Sequence, residues 1–219
     1  MREEGLSAKE LRRLDANARK LGFAERILIE NASSNLFSIV DDLKLGTEVL
    51  VIAGRGNNSA DVLSCARKLA SRGYRVSAAV TSEKELGPEA LFQKEVLEKS
   101  GICIHNIYEQ GLEKLDSLLS GCFWVLEGIL GIGVKGEVSS FFKEVIECIN
   151  KSQKTIVACD IPSGLSPDEG KPLGSAIKAD YTVTFIAPKQ GFFLNEGPKY
   201  CGKIFVVDIG VSRKILEKL

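Results

Sequence analysis

From Glu48 onward, short apolar runs alternate with longer segments whose apolar residues recur at three- and four-residue steps. The runs "EVLVIA" (48–53), "RVSAAV" (75–80), "ICIHNI" (102–107), "CFWVLEGI" (122–129), "TIVACD" (155–160), "DYTVTF" (180–185) and "KIFVVDIG" (203–210) read as strands. Residues 61–72, 87–100, 111–120 and 139–151 read as the helices between them. Strands that are apolar along their whole length are buried on both faces. The pattern therefore predicts a mostly parallel sheet covered by helices on either side, a three-layer αβα Rossmann-like fold. Two helices precede it. Ser7 followed by Glu10 has the spacing of a capping box and opens a helix to about Lys20, before Gly22. Leu28, Ala32, Leu36, Ile39, Val40 and Leu43 mark the second. With no repeat and no Pro/Ser-rich linker, residues 1–219 read as a single domain.

Composition changes this picture little. Lys+Arg and Asp+Glu balance at 29 each, so neither nucleic acid nor an anionic membrane surface is expected as a partner, and a small metabolite fits better. The longest apolar stretch, "CFWVLEGILGIGV", carries an acid and glycines and is too short to span a bilayer, and "MREEGLSAKELRR" at the start is charged rather than signal-like. A cytoplasmic protein is expected. Cys65, Cys103, Cys122, Cys148, Cys159 and Cys201 form no C-x-x-C pair and have only His105 for company as a histidine ligand. They read as reduced thiols, mostly buried, rather than disulfides or a zinc site.

The candidate chemistry lies in three segments that a parallel sheet brings to one edge, outside the carboxyl ends of its strands. These are "GRGNNSAD" after the first strand, "EGILGIGVKGE" after the fourth and "CDIPSG" after the fifth. Together they offer amide oxygens from Asn57 and Asn58, carboxylates from Asp61, Glu127 and Asp160, and glycine-rich backbone that, at a helix start, attracts phosphate. A standard dinucleotide fingerprint fits poorly: Ser59 stands where the third glycine belongs, and the second strand ends without an acid. Each residue also has a plainer reading. The glycines of the first segment suit positive φ, Asp61 suits a helix N-cap, and Asp160 suits a turn brace. Glu127 is harder to explain away, because an ionised side chain in an apolar strand end is costly unless paired. His105 and Trp124 read as structural.

Taken in order, "ILIENA", "NNSAD", "EGILGIG", "DIPSGL", "ADYTVTF", "PKQG" and "GKIFVVDIG" resemble the NAD(P)HX epimerase family, also called the YjeF N-terminal domain. The resemblance implies interconversion of the R and S forms of hydrated NADH and NADPH (NADHX and NADPHX), with a separate NAD(P)HX dehydratase restoring the cofactor from the S form. It places substrate contacts on Asn57, Asn58, Ser59, Ala60 and Asp61, on Gly131, Ile132, Gly133, Val134, Lys135, Gly136 and Glu137, and on Asp160. It implies a potassium ion held by Asn58, Glu127 and Ser163, whose oxygen donors suit an alkali cation. Asp160 is the expected acid/base. A homodimer is implied too, and the apolar positions Leu28, Ile29, Leu36, Phe37, Ile39 and Val40 of the second helix look more numerous than one sheet face needs. Ser59, Ala60 and Val62 stand where the family usually has glycine, Glu127 where it has aspartate, and Ile132 where it has threonine. Glycines lost from a loop can narrow it. Two other readings therefore stay open, an inactive nucleotide-binding or dimeric scaffold of the same fold and a different small-molecule enzyme using the same crevice.

Overall fold

The computed structural model describes residues 5–82, 86–134 and 136–218. Two helices, α1 (Ala8–Lys20) and α2 (Glu25–Leu43), lead into β1 (Glu48–Ala53), α3 (Asn57–Ser71), β2 (Arg75–Val80), α4 (Pro88–Lys99) and β3 (Ile104–Asn106). The short α5 (Ile107–Gln110), α6 (Leu112–Ser120), β4 (Trp124–Gly128), α7 (Ser140–Lys151) and β5 (Thr155–Cys159) follow. The chain ends with β6 (Tyr181–Phe185), α8 (Gly197–Cys201), β7 (Lys203–Val207) and α9 (Arg213–Glu217). The strands form one sheet in the order β3-β2-β1-β4-β5-β6-β7, and every pairing is parallel.

Successive strand residues point to opposite faces, and both faces are dry. Val49, Val51, Ala53, Trp124 and Leu126 pack under α2, α3 and α4, whereas Leu50, Ile52 and Val125 meet Leu115, Val145, Ile146 and Ile149 of α6 and α7. Each such side chain, fully withdrawn from water, contributes about 1.5–3 kcal/mol. This double burial is why the strands read as continuous apolar runs. The capping box forms as expected, with Ser7 Oγ accepting from Glu10 N at 3.2 Å and Ser7 N donating to Glu10 Oε2 at 2.9 Å.

Three expectations are corrected. Helix α3 starts at Asn57, four residues earlier than the pattern suggests, because Gly56 in extended conformation serves as its N-cap and the asparagines form its first turn. Asp61 is consequently no N-cap. The run 102–107 pairs only over Ile104–Asn106; Asn106 Oδ1 then accepts from Tyr108 N at 3.1 Å and turns the chain into α5. The apolar side of α2 is not in surplus either: Leu28, Ile29, Leu36 and Val40 are buried in the chain's own core, and Phe37 and Ile39 pack against it. Cys65, Cys122, Cys159 and Cys201 are buried, Cys148 is half-buried and Cys103 exposed, all as free thiols. Among the described residues no helix is long and apolar enough to cross a membrane.

One polar junction ties the helices of this face together. Glu30 on α2 accepts from Arg67 Nη2 (2.6 Å), Lys68 Nζ (2.6 Å) and Ser64 Oγ (3.0 Å) on α3 and from Gln93 Nε2 (3.3 Å) on α4. Burial works against the Glu30 anion, but these donors outweigh it and hold the carboxyl down from 4.5 to about 2. A folded value below the unfolded one stabilises the protein above pH 4.5 and is lost as pH falls through about 2. Glu30→Gln is therefore expected to lower the melting temperature at pH 7. Because the side chain is 38% exposed, the loss is on the order of 1 kcal/mol after solvent screening. Thermal unfolding of both proteins at pH 7 and pH 3 checks this; the gap must shrink at the lower pH.

Candidate active site

The sheet order reverses between β1 and β4: after β1 the chain moves outward to β2 and β3, then returns to place β4 on the other side of β1. Connections there diverge to opposite faces and leave a crevice at the strands' carboxyl ends. A cavity of about 1050 Å³ occupies it. All three segments singled out in the sequence reach it, through Arg55–Asn58 and Asp61, through Ile129–Val134, and through Asp160. The first turn must pass very close to the neighbouring strand. Gly54 N donates to Gly128 O at 3.3 Å, and a Cβ at Gly54 would overlap the Ile129 carbonyl. Gly54 and Gly56 do not have positive φ, so close approach of backbone, and not turn handedness, is what requires glycine at position 54.

The floor beneath the cavity is polar and tightly paired. Glu127, with no exposed surface, accepts from Ser163 N (2.9 Å) and Ser163 Oγ (2.5 Å) and from Ile129 N (3.2 Å). Burial raises its carboxyl to about 7, against the pull of these hydrogen bonds. Leu130 N donates to Ser163 Oγ at 2.8 Å, and Asn58 Nδ2 donates to the carbonyls of Leu130 (3.2 Å) and Cys159 (3.0 Å). Asn58, Glu127 and Ser163 thus knit the ends of β1, β4 and β5 into one unit. Asn58 Oδ1 is buried and has no partner among the described residues, which leaves its hydrogen-bonding capacity unused there.

Asp160 follows β5 with φ 64°, a left-handed conformation that Asp tolerates better than most residues. Its Oδ1 accepts from Thr184 Oγ1 (3.3 Å), Phe185 N (3.2 Å) and Lys189 Nζ. Lys189 is only 1% exposed and also donates to Thr184 Oγ1 at 2.6 Å. The Lys189 backbone is pinned in turn by a bridge to Leu6, just ahead of α1. Asp61, inside the first two turns of α3, reaches the cavity as well. Helix α1 forms the outer wall: Arg12 Nη1 donates to Ile132 O at 3.2 Å, and Arg19 joins Asp15 (3.1 Å) to Glu25 (3.2 Å), which accepts from Asn57 Nδ2 at 2.6 Å. Burial raises the Asp15 carboxyl, with Glu25 and Asp160 adding to the rise and Arg19 opposing it. Tyr108 and Phe141, edge to face at 5.1 Å, and Phe142 give the cavity an aromatic side.

Not every expected contact lines the cavity. Asn57, Asn58, Asp61, Gly131, Ile132, Gly133, Val134 and Asp160 do. Ser59 and Ala60 are buried elsewhere, with Ser59 Oγ donating to Gly128 O at 3.3 Å. Val62 packs on Gly128, where a Cβ would lie 2.6 Å from Val62 Cγ1. Ser59 and Val62 therefore fill the α3–β4 contact, Ala60 is buried in the core, and none of the three lines the cavity. Gly136 and Glu137 lie away from it, Glu137 pairing with Lys143 at 3.0 Å. Residues 132–133 form a turn and 136–137 a bend, with α7 beginning only at Ser140, so the described part of this segment is no helix start; Lys135 lies outside the described residues. Arg12, Asp15 and Lys189 are site residues that sequence reasoning missed. Only Lys189 left a trace, as a lone cation in the apolar stretch "FIAPKQG".

The YjeF-related protein N-terminus family profile matches residues 25–191. The chain belongs to this family. Over 98% of its length it is 32% identical to the NAD(P)H-hydrate epimerase of Elusimicrobium minutum, of which it covers 99%. It is 35% identical over 95% of its length to the bifunctional NAD(P)H-hydrate repair enzyme Nnr of Thermofilum pendens, and there it spans only 40% of the longer relative. The crystal structure of the yeast protein YNL200c superposes with a TM-score of 0.84 at 23% identity, covering 97% of this chain and 92% of that one.

Proposed function

We propose that this chain interconverts the R and S forms of NADHX and NADPHX, the hydrated nicotinamide cofactors. The observation that carries the reading is the Asp160 carboxylate, fixed by Lys189 at the wall of a cavity large enough for a dinucleotide, in a chain whose relatives along its whole length are epimerases by name. The aromatic wall of Tyr108, Phe141 and Phe142 suits flat rings. In the reaction the ring nitrogen expels the C6 hydroxyl and water returns from the other face, so the protein must position the ring and move protons. Residues 59, 60 and 62 are turned into the core and leave the cavity open, whereas Ile132, where the family usually has threonine, does line it.

A potassium ion is part of this reading. Asn58 Oδ1, buried without a partner among the described residues, together with the Glu127 carboxylate and Ser163 Oγ, supplies a hard oxygen set. The ion would offset the buried Glu127 charge and hold the three strand ends together. Partner and location are further parts of the proposal: a separate dehydratase acting on the S form, a cytoplasmic setting, and a homodimer, for which exposed Ile27 on α2 and Val206 on the edge strand β7 are available surface.

The test is stereochemical. Purified protein given R-NADPHX in potassium buffer should produce the S epimer, resolved by chromatography, faster than buffer alone. Pyridine dinucleotides should also raise the melting temperature, by about 2.7 kcal/mol of stabilisation at a hundred times Kd. The absence of both epimerisation and a melting shift at millimolar dinucleotide would remove the assignment.

A further inference from the structure

The cavity holds a second carboxyl group whose surroundings are opposite to those of Asp160. Asp61 is 8% exposed and lines the cavity, and its carboxyl accepts no hydrogen bond among the described residues. The charged groups acting most strongly on it are Asp160 from the end of β5, Asp15 from α1 and Glu25 from α2, all acids, opposed by the cation Lys189; Arg12, Arg19 and Arg55 line other parts of the same cavity, and the thiols of Cys65 and Cys159 adjoin Asp61. That lysine is already committed to Asp160 Oδ1 and Thr184 Oγ1. Burial first, then the neighbouring acids, raise the Asp61 carboxyl well above its usual range. Asp160 differs in each respect. Its Oδ1 carries three donors, one of them cationic, while Oδ2 accepts nothing among the described residues. A carboxyl buried among acids is suited to give up a proton, and the ion-paired Asp160 supplies the second carboxyl of the same cavity.

We propose that Asp61 and Asp160 work as a two-carboxyl pair, Asp61 giving its proton to the departing hydroxyl and Asp160 taking one from the water that replaces it. This rests on the epimerase reading above. The electron count closes without a redox partner. The lone pair of the ring nitrogen forms a C=N bond to C6 as the C6–O bond breaks, and the Asp61 proton leaves with the hydroxyl as water. A second water adds to C6 from the opposite face, the C=N electrons return to nitrogen, and the surplus proton passes to Asp160. Asp61 is then the anion and Asp160 the acid, which is the arrangement the reverse conversion needs. A reaction that must run both ways, R to S and S to R, is served by two groups that exchange roles around one shared proton.

The experiment compares wild type with Asp61→Asn and Asp61→Glu, following epimerisation of R-NADPHX across pH alongside dinucleotide-induced melting shifts. Asn cannot donate an acidic proton but is nearly the same shape. Asp61→Asn should lower kcat by about 10²–10⁴-fold while keeping the melting shift, and Asp61→Glu should recover part of the rate. Wild-type kcat/KM should fall as pH rises through the ionisation of Asp61; Asp61→Asn should lack that fall. Because removing an unpaired buried acid relieves a desolvation cost, the Asn variant should melt no lower than wild type at pH 7. An active wild type with an equally active Asp61→Asn, or with the alkaline fall unchanged in the variant, overturns the pair and leaves the epimerase reading standing. If the variant fails to fold, wild-type kcat/KM with no alkaline fall overturns it instead. An inactive wild type that still binds dinucleotide overturns both.

Discussion

Asp160→Asn is expected to slow epimerisation of R-NADPHX by about 10²–10⁴-fold, the usual consequence of deleting a general acid–base. Asparagine also tolerates the left-handed backbone at φ 64°, so the turn after β5 should survive. Stability is another matter. Lys189 is 1% exposed, and Asp160 is its only ion-pair partner among the described residues; stranding a buried ammonium without its counter-charge typically costs about 3–5 kcal/mol. For a chain of 219 residues that is on the order of 10 °C in melting temperature. Two causes of lost activity are thus superimposed, and a double variant separates them. In Asp160→Asn with Lys189→Met the stranded charge is gone, so the melting temperature should recover while the rate does not. Dinucleotide binding should persist in the double variant, since the aromatic wall and the turns after β1 and β4 are untouched. Recovery of activity together with stability would show that Asp160 matters only as an anchor for Lys189.

What could be read in advance follows from which forces are local. Strands β1, β4 and β5 were legible because residues such as Val51, Leu126 and Val157 are buried on one face while their neighbours Leu50, Val125 and Ala158 are buried on the other. Their carboxyl ends then had to meet, and with them Asn58, Glu127 and Asp160. Strand β3 was overread because an edge strand needs only one partner, and Asn106 could start a helix where Ile107 still looked like strand. The early start of α3 was missed because Gly-Asn-Asn reads as loop by propensity, although tertiary contact with β4 fixes it as helix. Arg12 and Asp15 carried no signal at all. They lie on α1, whose seat over the cavity is set by Leu6 pairing with Lys189 and by Ala8 N donating to Asp168 Oδ1 at 2.7 Å, contacts spanning most of the chain. No periodicity within a helix encodes what it will be laid across.

Glu127 gives the other large effect, and the choice of substitution decides what is learned. In Glu127→Ala the N–H groups of Ser163 and Ile129 lose their acceptor in a buried site, and the Ser163 hydroxyl keeps only the Leu130 carbonyl at 3.2 Å. Each buried polar group left unsatisfied costs about 1–3 kcal/mol, enough in sum to threaten a domain whose whole stability is about 5–15 kcal/mol. Substrate binding and rate should fall together, because the same hydrogen bonds fix the turns that line the cavity. Glu127→Gln is gentler. Its amide oxygen still accepts from Ser163 or Ile129, but its charge is gone, so any cation held there loses its counter-ion. Wild type should melt higher in potassium chloride than in choline chloride at equal ionic strength, since a cation bound only by the folded chain stabilises it. In Glu127→Gln that difference should vanish while most of the stability in choline remains. A wild type that melts identically in the two salts would leave Asn58 Oδ1 without its proposed occupant, and Glu127 would then be a structural acid that ties β4 to the turn after β5 and nothing more.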